Sequence, residues 1–129
     1  GEIKPRKDSL LSEVLLDISR ELAAVIVDAG PQAVALENVF YGKNVRSLIR
    51  QAHVRGVVIF TCADRGIPVF EYSPLEIKKA VVGYGRAEKR QVQMMVKAIL
   101  KLNALPTADA ADALAAAICQ ANFLKDKPV

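Results

Sequence analysis

Three carboxylates and two groups of cations are the residues of this chain whose types and spacing could do chemistry. Glu37 closes the short apolar run "AVALEN" (33–38), where a strand that needs only burial has no use for a charge. Asp109 and Asp112 stand three apart in "TADAADALAAAICQANF" (107–123), hence on one face of a helix. Carboxylates held together repel each other and require protons or cations. Hard divalent cations fit best, and Mg²⁺ is usually held by one or two carboxylates together with substrate phosphate oxygens. An ordinary structural reading stands beside this one: the macrodipole favours acids in a helix's first turn, and Thr107 is a common cap. The alanines shift the balance. Ala110, Ala111, Ala113, Ala115, Ala116 and Ala117 let the helix approach a neighbour closely, and Ala33 and Ala35 share a strand face with Glu37. The three carboxylates are therefore expected to converge at the C-terminal end of that strand.

The cations fall in two segments. "KNVRSLIRQAHVR" supplies Lys43, Arg46, Arg50, His53 and Arg55, and "IKKAVVGYGRAEKR" supplies Lys78, Lys79, Arg86, Lys89 and Arg90. A solvated face is the default for either cluster. Two basic segments around one acidic centre favour a phosphate-bearing substrate, with cations steering the backbone and metals acting on one scissile phosphate. His53 is the single histidine, and no serine or cysteine stands in an obvious relation to it. A catalytic triad is rejected on that ground, and His53 reads as a surface or interface residue. Phe40 and Tyr41 sit in a glycine-bearing loop beyond the strand. There they could stack on bases or tuck back onto the core.

Positioning these side chains requires helices and strands in a definite order. Leu11, Val14, Leu15, Ile18, Leu22, Val25 and Ile26 form a helical stripe over 8–29, with Asp8 or Ser9 as the cap and Gly30-Pro31 as the stop. The run 33–38 alternates and is bounded by turn residues, so it reads as a strand. Val45, Leu48, Ile49, Ala52, Gly56, Ile59 and Phe60 give a second helical stripe over 43–64, and "IPVFEY" (67–72) a second strand. "SPLE" (73–76) is a strong helix start: Ser73 caps, Pro74 takes the first helical position and Glu76 completes a capping box. Helices at about 87–101, with Val92, Met95, Val96 and Ile99 inward, and after Pro106 complete the order. Helix, strand, helix, strand, helices describes an α/β layer structure with parallel strands. Two strands make a poor sheet, so part of the sheet is expected to lie outside this sequence.

The chain has 129 residues, 52% of them hydrophobic, the size of one domain with ample material for a core. A formal charge of +4 is a mild basic bias, compatible with an anionic partner. Cys62 and Cys119 match no metal-ligand or redox spacing and read as reduced, buried thiols. No apolar run approaches the roughly 18 residues of a membrane span. The expectation is one intracellular, cytoplasmic domain over residues 1–129.

"ALENVFYGKN", "VFEYSPLEIKKAVVGYGRAEKRQVQMMV" and "ADAADALAAAI" together resemble the Holliday junction resolvases of the RuvC type. The resemblance runs in order from about residue 8 to 123. It implies a ribonuclease H-like fold, a mixed sheet flanked by helices, in a homodimeric, Mg²⁺-dependent endonuclease that nicks two opposing strands of a four-way DNA junction. Partnership with a branch-migration helicase complex is implied as well, and Mn²⁺ is an acceptable substitute metal. Residue by residue, Glu37 corresponds to a strand-end catalytic glutamate and Asp109 and Asp112 to two acids of the last helix, all three as metal ligands. Lys78 and Lys89 correspond to lysines near the scissile phosphate, and Phe40 to a loop aromatic that stacks on bases. Tyr41, Lys43, Arg46, Arg50, Lys79, Arg86 and Arg90 complete the expected DNA-binding set.

One departure stands out. The family begins with a three-strand meander whose first strand carries a further catalytic aspartate, and these 129 residues contain no such segment. A truncated, cleaved or otherwise partial form of a longer protein, inactive by itself, is the expectation that follows. Two other functions remain open on the residues: a non-catalytic protein that binds branched DNA, and another ribonuclease H-like nuclease with a different substrate.

Overall fold

The structure, a computed structural model, describes residues 2–4, 8–38, 44–123 and 128–129. Its elements follow the order α1 (Leu11–Ala29), β1 (Val34–Glu37), α2 (Val45–Ala63), β2 (Val69–Tyr72), α3 (Pro74–Val82), α4 (Lys89–Ile99) and α5 (Ala108–Asn122). Among the described residues the sheet has two strands, β1 and β2. They run parallel: Val34 N–H donates to Pro68 O at 2.9 Å, and Asn38 N–H donates to Tyr72 O at 2.8 Å. The expected mixed sheet is thus represented by its parallel part. The chain divides into two compact units, residues 1–34 with 39–69 and residues 35–38 with 70–129.

In the first unit α1 packs on α2, burying Ile18, Ile26, Thr61 and Cys62. Thr61 is the buried polar residue among them, and its hydroxyl is satisfied at 2.9 Å by Ser19 Oγ of α1. Helix α1 starts later than the sequence suggests. Leu10, rather than Asp8 or Ser9, occupies the cap position, and its N–H donates to Glu13 Oε2 at 2.9 Å. A carboxylate one turn in thus serves the orphan donor that a cap side chain would otherwise leave to water. Asn44 caps α2 by accepting from Ser47 N–H at 3.2 Å.

The α2 stripe differs more substantially. Leu48 and Ile59 are half-buried, but Val45, Ile49, Ala52, Gly56 and Phe60 are exposed. Helical spacing shows that residues share a face and leaves open what covers it. Here Thr61 and Cys62 are buried and Val54 and Val58 half-buried, and the opposite apolar stripe is uncovered among the described residues. In α1, likewise, Leu11 and Val25 at the edges of the stripe are exposed while Ile18 and Ile26 are buried.

The second unit holds a core of Tyr72, Ile77, Val81, Ala87, Val92, Val96, Ala115, Ala116, Ile118 and Cys119, formed where α3, α4 and α5 pack together. Each large aliphatic side chain buried there contributes about 1.5–3 kcal/mol. Tyr72 at the end of β2 is buried, and its hydroxyl lies 2.6 Å from Gln120 Oε1 and 2.9 Å from the Phe123 carbonyl oxygen. Those contacts tie the strand end to the far end of α5. Helix α3 begins as the sequence predicts. Ser73 N–H donates to Glu76 Oε2 at 2.6 Å and Glu76 N–H donates to Ser73 Oγ at 3.2 Å, with Pro74 at the first helical position. It ends on Gly83 at φ 88°, and a Cβ on Gly85 would collide with Leu75 Cδ1. Gly83 is needed for the left-handed turn there, whereas a side chain at Gly85 would have to displace the exposed Leu75. In α4 Val92 and Val96 are buried, whereas Met95 and Ile99, expected inward, are exposed.

Candidate active site

Glu37 is the last residue of β1, and the ladder continues one residue past it through Asn38 N–H. The carboxylate therefore stands on hydrogen-bonded strand rather than on a frayed end. Ala35, two residues earlier, shares its face and leaves room for a helix. Helix α5 takes that room. Its cap, Thr107, accepts from Ala110 N–H at 3.3 Å, which sets the first turn, with Asp109 on it and Asp112 on the next. Ala35, Leu36, Glu37, Asp109, Asp112, Ala113 and Ala116 line one cleft of about 330 Å³.

The electrostatics of the cleft couple the acids to two lysines. Burial pushes the Glu37 carboxyl above the ordinary glutamate range, and the like charge of Asp112 pushes it further; Lys78 and Lys89 pull it partly back. Burial also raises Asp112, Lys89 lowers it, Asp109 raises it and Lys78 lowers it. Both acids thus lie where losing a proton is opposed by desolvation and by a neighbouring anion. Such a pair is relieved by binding a proton, a cation or both. Among the described residues no three His, Cys, Asp or Glu side chains form a group able to hold a metal ion by themselves. Within the cleft Asp112 acts on Glu37, and Asp109, exposed one turn earlier, acts on Asp112. Hard oxygen donors in this state fit a hard divalent cation that completes its shell from water or phosphate.

Of the remaining candidates, Lys78 is half-buried on α3 and Lys89 is exposed at the first position of α4. Lys79, Arg86 and Arg90 are exposed in the same unit, and Arg46 and Arg50 are exposed on α2 in the first unit. Phe40, Tyr41 and Lys43 lie outside the described residues. His53 is exposed on α2. Sequence reasoning passed over Gln93, whose side-chain Nε2 donates to Pro106 O at 2.9 Å. A neutral amide in the middle of a helix carries no signal of its own, and its partner is 13 residues away.

The family model for crossover junction endodeoxyribonuclease RuvC matches residues 1–120. The chain belongs to the RuvC family. The RuvC protein of Syntrophomonas wolfei is 56% identical over 106 residues, covering 81% of this chain and 62% of that protein. A structure of Thermus thermophilus RuvC superposes with a TM-score of 0.86 at 30% identity, covering 98% of this chain and 79% of that one. A second, of T. thermophilus RuvC in complex with Holliday junction substrate, gives 0.87 at 31% identity, covering 92% and 73%. The fold is accordingly the ribonuclease H-like fold of RuvC, rich in helices around a small parallel sheet. The RuvC match contains Glu37, Lys78, Lys89, Asp109 and Asp112, all of which lie in the second compact unit. No described helix is long and apolar enough to cross a membrane.

Proposed function

We propose that the chain is the nuclease domain, acting as one unit over residues 1–129, of an enzyme that resolves four-way DNA junctions by metal-dependent hydrolysis of paired phosphodiester bonds. One observation carries this reading. In a member of the RuvC family, Glu37 and Asp112 line one cleft, Asp112 raises the Glu37 carboxyl, and Lys78 and Lys89 act on both acids. Glu37 and Asp112 would hold Mg²⁺ or Mn²⁺, with Asp109 adding charge from the preceding turn. When bound there by Glu37 and Asp112, such a cation would supply acidification of an attacking water and charge stabilisation at a departing 3′ oxygen. The chain's own residues do the rest. Glu37, on paired strand, fixes where the scissile phosphate must lie, and Lys78 and Lys89 offset the charge that develops on the phosphoryl oxygens. The basic residues Lys79, Arg86 and Arg90, with Arg46, Arg50 and Lys43, bind the DNA backbone, while Phe40 and Tyr41 supply base stacking.

Paired cuts need two active sites, and the uncovered side of α2 supports a homodimer. Val45, Ile49 and Phe60 are 65%, 52% and 70% exposed along one stripe, with Ala52 and Gly56 between them allowing close approach. We place the enzyme in the cytoplasm, working with a branch-migration helicase. The test is nicking of a synthetic four-way junction by the intact protein with and without Mg²⁺. Metal-dependent symmetric nicks in opposing strands are expected. Tight junction binding with no cleavage under any divalent metal would instead mark a non-catalytic branched-DNA binder, and preference for a hybrid duplex would mark a different nuclease.

A further inference from the structure

Lys89 and Asp112, the aspartate it acts on, lie on different helices, so something has to hold α4 in register with the start of α5. Between them the chain passes through Lys101, a non-glycine residue at φ 51°, and on to Pro106. Packing of Val92 and Val96 in the core keeps α4 near α5, but apolar contacts are non-directional and tolerate sliding. A polar contact joins α4 to the residue that precedes the α5 cap. Gln93 follows Lys89 by one helical turn, on the same flank, and its Nε2 donates to Pro106 O at 2.9 Å in a partly buried setting. Pro106 immediately precedes the cap of α5. Thr107 accepts from Ala110 N–H through Oγ1 at 3.3 Å and from Ala111 N–H through its carbonyl at 2.9 Å. Proline has no N–H to donate, so its carbonyl is the polar group by which the segment can be held at that point. Local capping is not the job of Gln93. Gln91 does that, accepting from Glu88 N–H at 2.8 Å.

We propose that Gln93 is a positioning residue of the active site, fixing the start of α5, which carries Asp109 and Asp112 on its first two turns, against the Lys89 end of α4. The inference rests on the nuclease reading for its effect on catalysis, and on the hydrogen bond alone for its effect on α5. Two variants of the intact protein separate the cases. Gln93→Met keeps volume and removes the donor; Gln93→Glu keeps shape and, ionised, cannot donate to a carbonyl. In both, single-turnover cleavage of a four-way junction at saturating Mg²⁺ should fall about tenfold or more, since a displacement of an ångström at a reacting centre is sufficient. Junction affinity measured in Ca²⁺ should stay within about twofold, because the phosphate-binding cations are untouched. Amide hydrogen exchange should quicken at Ala110 and Ala111 while Val96 keeps its protection.

A general loss of stability would instead raise exchange at all three amides and leave the cleavage rate of folded enzyme unchanged, which would overturn the positioning role. Wild-type cleavage and exchange in Gln93→Met would overturn it too. If the wild-type protein cleaves no junction, the nuclease reading fails and exchange decides alone: selective opening at Ala110 and Ala111 keeps the positioning role, and unchanged exchange removes it.

Discussion

Glu37 and Asp112 are more costly to ionise in the fold than in an unfolded chain, and the cause is mainly burial. In metal-free protein the folded state holds these protons more tightly than the unfolded state. Stability should therefore be greatest at acid pH and fall as pH rises through the raised carboxyl range. Asp112→Asn removes the Asp112 share of that loss and the push of Asp112 on Glu37. Thermal melts in chelator should show the variant more stable than wild type near neutrality, with the difference disappearing below about pH 3, where Asp112 is protonated in both states of the wild type. Both groups are partly solvated, which keeps the effect modest. Glu37→Gln should abolish Mg²⁺-dependent cleavage, a fall of at least about a hundredfold, while junction binding stays nearly intact because cations and shape govern it. Turnover near wild type would remove Glu37 from the metal site. At this scale the sequence was informative where residue type carried charge: a glutamate ending an apolar run, two aspartates three apart. It was silent on Gln93, which matters only through a partner that the fold brings to it.

Among the elements, helices and strands were legible because local rules agree with the tertiary environment in most places. The Ser73–Glu76 box and the Thr107 cap sit where the sequence puts them. What periodicity could not supply is which stripe of a two-faced helix meets a neighbour. Helix α2 has apolar residues on both sides, and α1 covers one of them. The uncovered side gives a prediction about assembly. Phe60→Asp places a charge in the exposed stripe without touching buried Thr61 or Cys62. It should leave far-ultraviolet circular dichroism unchanged and shift the intact protein from dimer to monomer in sedimentation at micromolar concentration. A wild-type protein that sediments only as monomer would refute the dimer, and with it the geometry proposed for paired cuts.

For the whole molecule, a charge of +4 is small, but its distribution sets how DNA binding responds to salt. Removing one cation that neutralises a phosphate should reduce the steepness of the log affinity against log salt plot by about 0.9. Lys79→Ala and Arg86→Ala should each flatten the plot by about that amount, whereas Glu37→Gln should leave its slope alone. Filter binding across a salt series distinguishes them. The two cysteines bear on the molecule in another way. Neither is in a disulfide, and one lies in each compact unit: Cys62 on α2 in the first and Cys119 on α5 in the second, both fully buried. Alkylating reagents reach a buried thiol only when its surroundings open. Trapping followed by peptide mass analysis would thus time the breathing of each unit separately within a single sample. The chain carries its own pair of chemical clocks, with no introduced label to disturb either.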